Sequence, residues 1–338
     1  MLRRSGYTRA MNRLFRDAAG PCLAPGGSVV CVGAFDGVHL GHRALLARTC
    51  ARARELGLQS IAITFEPVPR EYFAHGQAVP RLTGAREKLA LLLASGVSKL
   101  LSLRFDARLT AMSAEAFVGD LLLGRAGLRE LWVGADFHFG HARRGNVALL
   151  ERLAPQLGFA LRVLADVQAG GVRVSSSALR EQLAAGQFDA AACGLGRRFS
   201  IGGHVVRGQQ LGRRLGYPTA NVRLGRRTAP VSGIFAVRVH GVAAHGMPAV
   251  ASLGVRPTID GTEPLLEAHL FDFDGDLYGR RIEVEFVAKL RDERKFADLP
   301  AMVRQIDLDA AQARALLAHN PPQGQAAAGA APAHPLCG

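Results

Sequence analysis

Ser28-Val-Val-Cys-Val-Gly-Ala-Phe-Asp-Gly-Val-His-Leu-Gly-His42 begins as an apolar, β-branched run, breaks into a glycine-rich turn and leads into the amphipathic stretch HRALLARTCARARELG. That order reads as strand, turn and helix. Working outward, QSIAITF, AREKLALLLASG, KLLSL, SAEAFVGDLLLGRAG, RELWVGA, NVALLERLAPQLG and ALRVLAD continue the alternation to about Asp166. Apolar runs alternating with amphipathic ones predict a parallel sheet with crossover helices, a Rossmann-like α/β domain. The quoted turn then lies at the carboxyl end of a strand, where open α/β sheets bind ligands.

From Phe199 to about Val287 the texture changes to short strand-like runs punctuated by Gly and Pro, which predicts an antiparallel barrel or sandwich. Between the halves, Val172 to Leu195 reads as a short strand and two helices, with Ser175, Ser176 or Ser177 available as a cap. LPAMVRQIDLDAAQARALLA is amphipathic and predicts a helix covering one side of the β domain. Two domains fit a chain of 338 residues, which exceeds one hydrophobic core. No apolar run is long enough to predict a membrane-spanning helix. Lys+Arg 42 against Asp+Glu 28 gives a net charge of +14, which points to an anionic partner. Nucleic acid, acidic lipid and phosphorylated small molecules all fit that sign, which does not choose among them; the charge is mostly Arg and scattered, so a solvated surface is expected rather than a discrete nucleic-acid patch. Five cysteines without a CxxC pair argue against a disulfide framework or a cysteine zinc site and fit a reducing cytoplasm.

The turn carries chemistry. Gly33, Gly37 and Gly41 permit tight turns and close approach of backbone, including that of Phe35 and Asp36, to a phosphate. His39 and His42 are three apart and share one face at the positive end of a helix dipole. Nucleotidyl transfer needs positioning and stabilisation of charge on phosphate oxygens, and no protein nucleophile. Two imidazoles at a helix amino terminus supply that. A zinc site built from these and His138 and His141 is the competing reading; magnesium carried with ATP is the expectation.

The β-rich half has Gly208-Gln-Gln-Leu-Gly-Arg-Arg-Leu-Gly-Tyr-Pro-Thr-Ala-Asn221, with Gly208, Gly212 and Gly216 in a phosphate-approaching loop and Pro218 fixing the backbone. Thr219 and Asn221 put two hard oxygens on one side of an extended segment, suited to magnesium. In LLEAHLFDFDGDLYG, Glu267 is a carboxylate in an apolar strand pattern, able to take a proton from an alcohol or simply to face outward. The acidic cluster Asp272, Asp274 and Asp276 reads as a turn rather than a calcium loop.

FDGVHLGH, TFEPVPRE from Thr64, RLTGAREK from Arg81, GADFHFG from Gly134 followed by Arg143-Arg-Gly-Asn146, and SSSALR from Ser175 resemble, in order, the motifs of the bacterial bifunctional riboflavin kinase/FMN adenylyltransferases, or FAD synthetases. GQQLGRRLGYPTAN, Ser252-Leu-Gly-Val-Arg-Pro-Thr258, LLEAHLFDFDGDLYG and LRDERKF resemble that family's riboflavin kinase module, a six-stranded Greek-key barrel with a terminal helix. The resemblance implies 26–196 as the FMN adenylyltransferase domain and 197–318 as the riboflavin kinase domain; outside it, the Arg-rich stretch 1–25 reads as a flexible arm and the low-complexity 319–338 as a disordered tail. The resemblance also implies that His39 and His42 contact ATP phosphates and that Asp136 lies near nucleotide or magnesium. Ser176, Ser177 and Arg180 would grip triphosphate oxygens, Glu66 and Arg70 would sit near the flavin, Thr219 and Asn221 would bind Mg-ATP, and Glu267 would activate the ribityl hydroxyl. Val68 and His138 depart from the family pattern, which often has His and Arg there. The resemblance further implies riboflavin, FMN, FAD and ATP as substrates and products, with Mg2+ as cofactor. No nucleic acid or membrane partner is expected, and the oligomeric state is left open. The competing functions are an enzyme with one surviving activity and an RNA-binding module.

Overall fold

The computed structural model describes residues 13–74, 77, 79–208, 216–224, 228–258 and 261–320. Contacts divide the chain into two compact units, Met1–Gln77 with Ala85–Val174, and Ala78–Gly84 with Ser175–Gly338.

The first unit is built on strands β1 (Leu14–Phe15) and β2 (Ser28–Val32), helix α1 (Leu40–Glu55), β3 (Gln59–Glu66), α2 (Ala85–Ala94), β4 (Lys99–Arg104), β5 (Leu128–Gly134), α3 (Val147–Leu157) and β6 (Ala160–Leu164). The strands form one parallel sheet in the order β1-β4-β3-β2-β5-β6. Every residue of β2 is buried, as expected of a central parallel strand covered on both faces. One core holds Val30, Val32, Ile61, Ile63, Leu131 and Val133 against the helical segment 114–125; the other holds Cys31, Ala62 and Leu100 against α1 and α2. β2 is also where strand order reverses, with β3 and β4 on one side and β5 on the other. Its carboxyl end is therefore a topological switch point, the usual place for a ligand crevice.

The expected flexible arm, 1–25, is corrected over its second half. Leu14 and Phe15 pair in parallel with Leu100 and Leu101 at the sheet edge. Arg125 donates to the Asp17 carbonyl at 3.1 Å and to that of Pro21, which holds the chain leading into β2. The remainder of the arm, and the tail beyond Asn320, lie outside the described residues.

The second unit contains α4 (Ser176–Ala184), α5 (Phe188–Leu195), β7 (Ser200–Val206), β8 (Ala220–Arg223), β9 (Gly233–His240), β10 (Met247–Thr258), β11 (Gly261–Leu270), β12 (Arg281–Arg291) and α6 (Leu299–His319). Its strands close an antiparallel barrel in the order β7-β8-β11-β10-β9-β12. Ala313 and Leu317 of α6 pack on Ala236, Val250, Phe271 and Val287, so the terminal helix covers one side of the barrel as its pattern predicts. The compact units divide at 174/175 rather than at 196/197. The reason is Phe188 of α5, whose ring lies parallel to Phe286 at 6.2 Å and edge-on to Phe235 at 5.8 Å, placing α4 and α5 with the barrel.

Candidate active sites

The turn after β2 is held in a backbone that side chains resist. Phe35 has φ 52°, Gly37 φ 89° and Val38 φ 42°; for a β-branched residue this is a strained conformation, of the kind concentrated at ligand clamps. Burial over-determines it: the Phe35 ring is fully buried, and Asp36 and Val38 are nearly so. A Cβ at Gly33 would sit 3.2 Å from the buried Phe35 ring, tighter than ordinary contact, so glycine lets that ring pack against the turn. His39 caps α1, its Nδ1 accepting the His42 backbone N–H at 3.4 Å. The two imidazoles stack with centroids 3.6 Å apart and 18° between planes, and Phe35 meets His42 edge-on at 5.1 Å. Burial, then His39, then Lys88 push the His42 imidazole well below its usual range, so it is neutral near pH 7. The pair stands at the amino end of α1, where the dipole and free N–H groups favour an anion.

Behind the turn, Lys88 of α2 is completely buried. Its Nζ donates to the Phe65 carbonyl at 2.6 Å and the Ala34 carbonyl at 3.4 Å and pairs with Glu66 at 3.0 Å. Arg70 is exposed on the short helix Pro69–Tyr72, whose amino end is tied by the Val68 N–H to Glu71 at 3.2 Å. Val68 itself is buried. Asp136 is exposed and pairs with Arg173, which also takes Asp166 at 3.0 Å. His138 bonds the Asp136 carbonyl at 2.9 Å, while His141 bonds the Thr110 carbonyl at 3.0 Å.

In the second unit, Ser175 is the cap of α4, its hydroxyl accepting the Ala178 N–H at 3.2 Å, which leaves Ser176 and Ser177 in the first turn. Arg180 folds back to donate to the carbonyls of Pro80 at 2.7 Å and Ser176 at 3.1 Å.

The barrel assembles the other predicted constellation. Asn221 of β8 stands directly opposite Glu267 of β11, and Glu267 opposite Ser252 of β10, so all three face one side. The Asn221 side-chain oxygen is buried with no hydrogen-bond partner, while its amide nitrogen donates to the Thr219 carbonyl at 3.4 Å. Gly208 lies so close that a Cβ would come within 2.7 Å of that amide. Gly216 has φ 86°, and the Pro218 carbonyl is bonded by His269 at 2.9 Å. Gly212 lies outside the described residues. Thr219 and Asn221 border a cavity of about 470 Å³ closed by Arg207, Asp274, Asp276 and Tyr278, with Arg207 5.4 Å above the Tyr278 ring. Asp272 forms a fork with Arg314 at 2.8 and 2.9 Å, and Asp276 accepts the Tyr278 N–H at 2.8 Å, so these carboxylates build the turn.

Residues 23–178 match the family model described as FAD synthetase, and residues 195–317 the model described as riboflavin kinase. A bifunctional riboflavin kinase/FMN adenylyltransferase of Pseudomonas fluorescens is 46% identical over 293 residues, 86% of this chain and 94% of its own. The chain belongs to the bifunctional riboflavin kinase/FMN adenylyltransferase family. The family member of that name from Escherichia coli strain K12 is 44% identical over 288 residues, 85% of this chain and 92% of its own. A crystal structure described as a macrolide-efflux protein from Streptococcus pneumoniae superposes with a TM-score of 0.74 at 27% identity, covering 89% of this chain and 99% of its own. No helix among the described residues is long and apolar enough to cross a membrane.

Within this family frame, the first unit brings together the glycine turn, His39, His42 and Glu66. The barrel brings together Gly208, Thr219, Asn221 and Glu267. Ser176, Ser177 and Arg180 belong to the second unit. Lys88 lies inside the RLTGAREK motif without a role that the sequence alone assigns. The signal was present: Lys88 is four residues before buried Leu92, on the apolar face of α2, in a chain with few lysines.

Proposed function

We propose that the barrel phosphorylates riboflavin and that the FMN formed is adenylylated at the turn after β2. The chain is a riboflavin kinase and an FMN adenylyltransferase, and the finer assignment of residues to steps is our reading. In the first reaction the ribityl 5′-hydroxyl oxygen attacks the γ-phosphorus of ATP, the bond to the bridging oxygen breaks and ADP leaves. Glu267 takes the hydroxyl proton. Its place opposite Asn221 supports this, because the residue that would hold the nucleotide's magnesium is then its cross-strand neighbour. The donor set fits Mg2+: an amide oxygen is buried without a partner, and the space beside it is kept open by a glycine. Thr219 and Asn221 would hold the ion, which when bound neutralises charge on the phosphates.

In the second reaction a phosphate oxygen of FMN attacks the α-phosphorus of ATP and pyrophosphate leaves. No side chain is a nucleophile here. The stacked His39–His42 pair at the switch point is the observation that carries this reading. Neutral His42 offers an N–H to the phosphate, and the amino end of α1 adds dipole and backbone donors where negative charge accumulates. Glu66 and Arg70 face the flavin side.

Separate assays with riboflavin and with FMN test the division of labour. Glu267→Ala is expected to abolish phosphorylation while FMN adenylylation persists, and His39→Ala to do the reverse. Loss of both activities in either variant refutes independent sites.

A further inference from the structure

Lys88 presents a problem that neither reaction explains. Its side chain is wholly buried on the apolar face of α2, where a methionine or leucine would pack without desolvating a charge. A buried ion pair is weak evidence for stability, since well-packed apolar residues often do as well. What the ammonium does is join two segments. It bonds the Ala34 carbonyl, in the turn whose following residues Phe35, Gly37 and Val38 have positive φ. It also bonds the Phe65 carbonyl and pairs with the Glu66 carboxylate at the end of β3.

We propose that Lys88 is a positioning residue for adenylyl transfer, anchoring the nucleotide turn to the end of β3 so that His39 and His42 meet the phosphates in register. The inference rests on the reading of this unit as an FMN adenylyltransferase. A strained turn needs external restraints, and the described residues give the Ala34 carbonyl two: Lys88 and, at 3.2 Å, the Thr64 hydroxyl. Around His42 stand His39 from the turn, Phe35 from the same turn, and Lys88 from α2, itself paired with Glu66 from β3. The positive charge of Lys88 also repels a proton on His42.

The test uses the full chain carrying Lys88→Met or Lys88→Arg, assayed for FAD formation from FMN and for riboflavin phosphorylation in one preparation. Lys88→Met is expected to lower kcat for FAD formation roughly 100-fold, the cost of a reacting group misplaced by about 1 Å, with KM for ATP and the kinase rate little changed. Lys88→Arg, which keeps the charge, recovers part of kcat. The acid limb of the FAD-forming pH profile moves upward in Lys88→Met alone. Wild-type kcat in Lys88→Met overturns the inference. So do equal losses in both variants with an unmoved acid limb, which mark a merely structural lysine. Where Lys88→Met fails to fold, Thr64→Val decides: a roughly 10-fold lower kcat supports the anchored carbonyl and an unchanged kcat overturns it. Wild-type chain that makes no FAD overturns the functional reading and this role together, whereas FAD synthesis unaffected by Lys88→Met overturns this role alone.

Discussion

Gly41→Ala sets stability against activity at a single atom. Gly41 lies in the first turn of α1 with no positive φ, so its backbone accepts alanine, and a helical Gly→Ala exchange stabilises by about 0.5–1 kcal/mol. The new Cβ, however, would lie 3.2 Å from both Cε1 and Nδ1 of His39, tighter than ordinary contact. The imidazole must yield by a few tenths of an ångström, and its cap on the His42 N–H, worth about 0.5–1 kcal/mol, weakens. The two effects nearly cancel in stability. They do not cancel in catalysis: if misplacement by about 1 Å costs about 100-fold, half that displacement costs about 10-fold, or ~1.4 kcal/mol. Thermal unfolding and initial rates of FAD formation on the same sample read the two quantities separately. The expected outcome is an unchanged Tm, a rate near one tenth of wild type and an unaltered kinase rate. A wild-type FAD-forming rate in Gly41→Ala would refute the placement of His39 against the phosphates.

Gly208→Ala, with its Cβ 2.7 Å from the Asn221 amide, is expected to cut riboflavin phosphorylation by at least about 10-fold and leave FAD formation from FMN intact, as the two separate assays would read. Asp309 of α6 is almost buried and takes the Arg291 fork at 2.9 and 2.7 Å; Asp309→Ala leaves that guanidinium uncompensated and should cost about 3 kcal/mol in denaturant unfolding. His240 bonds Glu285 at 2.9 Å, and that hydrogen bond raises its pKa above the ordinary value against the opposing effect of burial. A raised folded pKa gives stability that is complete below about pH 6.5 and lost as pH climbs through the folded value, so the Tm gap between wild type and His240→Gln should be widest below about pH 6.5 and narrow as pH rises above it. A gap that widens with rising pH contradicts the pairing.

The central strand and its turn were legible because they are local. An apolar run, three glycines and two histidines at helical spacing state their geometry within fifteen positions, Ser28 to His42. The barrel was legible as a class, from short strands and turns, but the pairing of Asn221 with Glu267 was not. That register is fixed by closure of β8 against β11, a long-range event no local pattern encodes. Leu14–Phe15 was missed because two residues make no period, and the neighbouring arginines read as a solvated arm. The placement of α5 against the barrel depends on Phe188 meeting Phe235 and Phe286, a contact that composition cannot reveal. Lys88 hid for the opposite reason. Its residue type argues for the surface, and only the carbonyls of Ala34 and Phe65 around its ammonium show why it is inside.

One chain joins two consecutive transfers from ATP. Incubating the purified protein with riboflavin, ATP and magnesium, and following flavins by chromatography over time, tests it directly. FMN is expected to rise first, then decline as FAD accumulates with one pyrophosphate released per FAD. A chain that converts riboflavin to FMN and stops there, or that leaves added FMN unchanged in the presence of ample ATP, contradicts it.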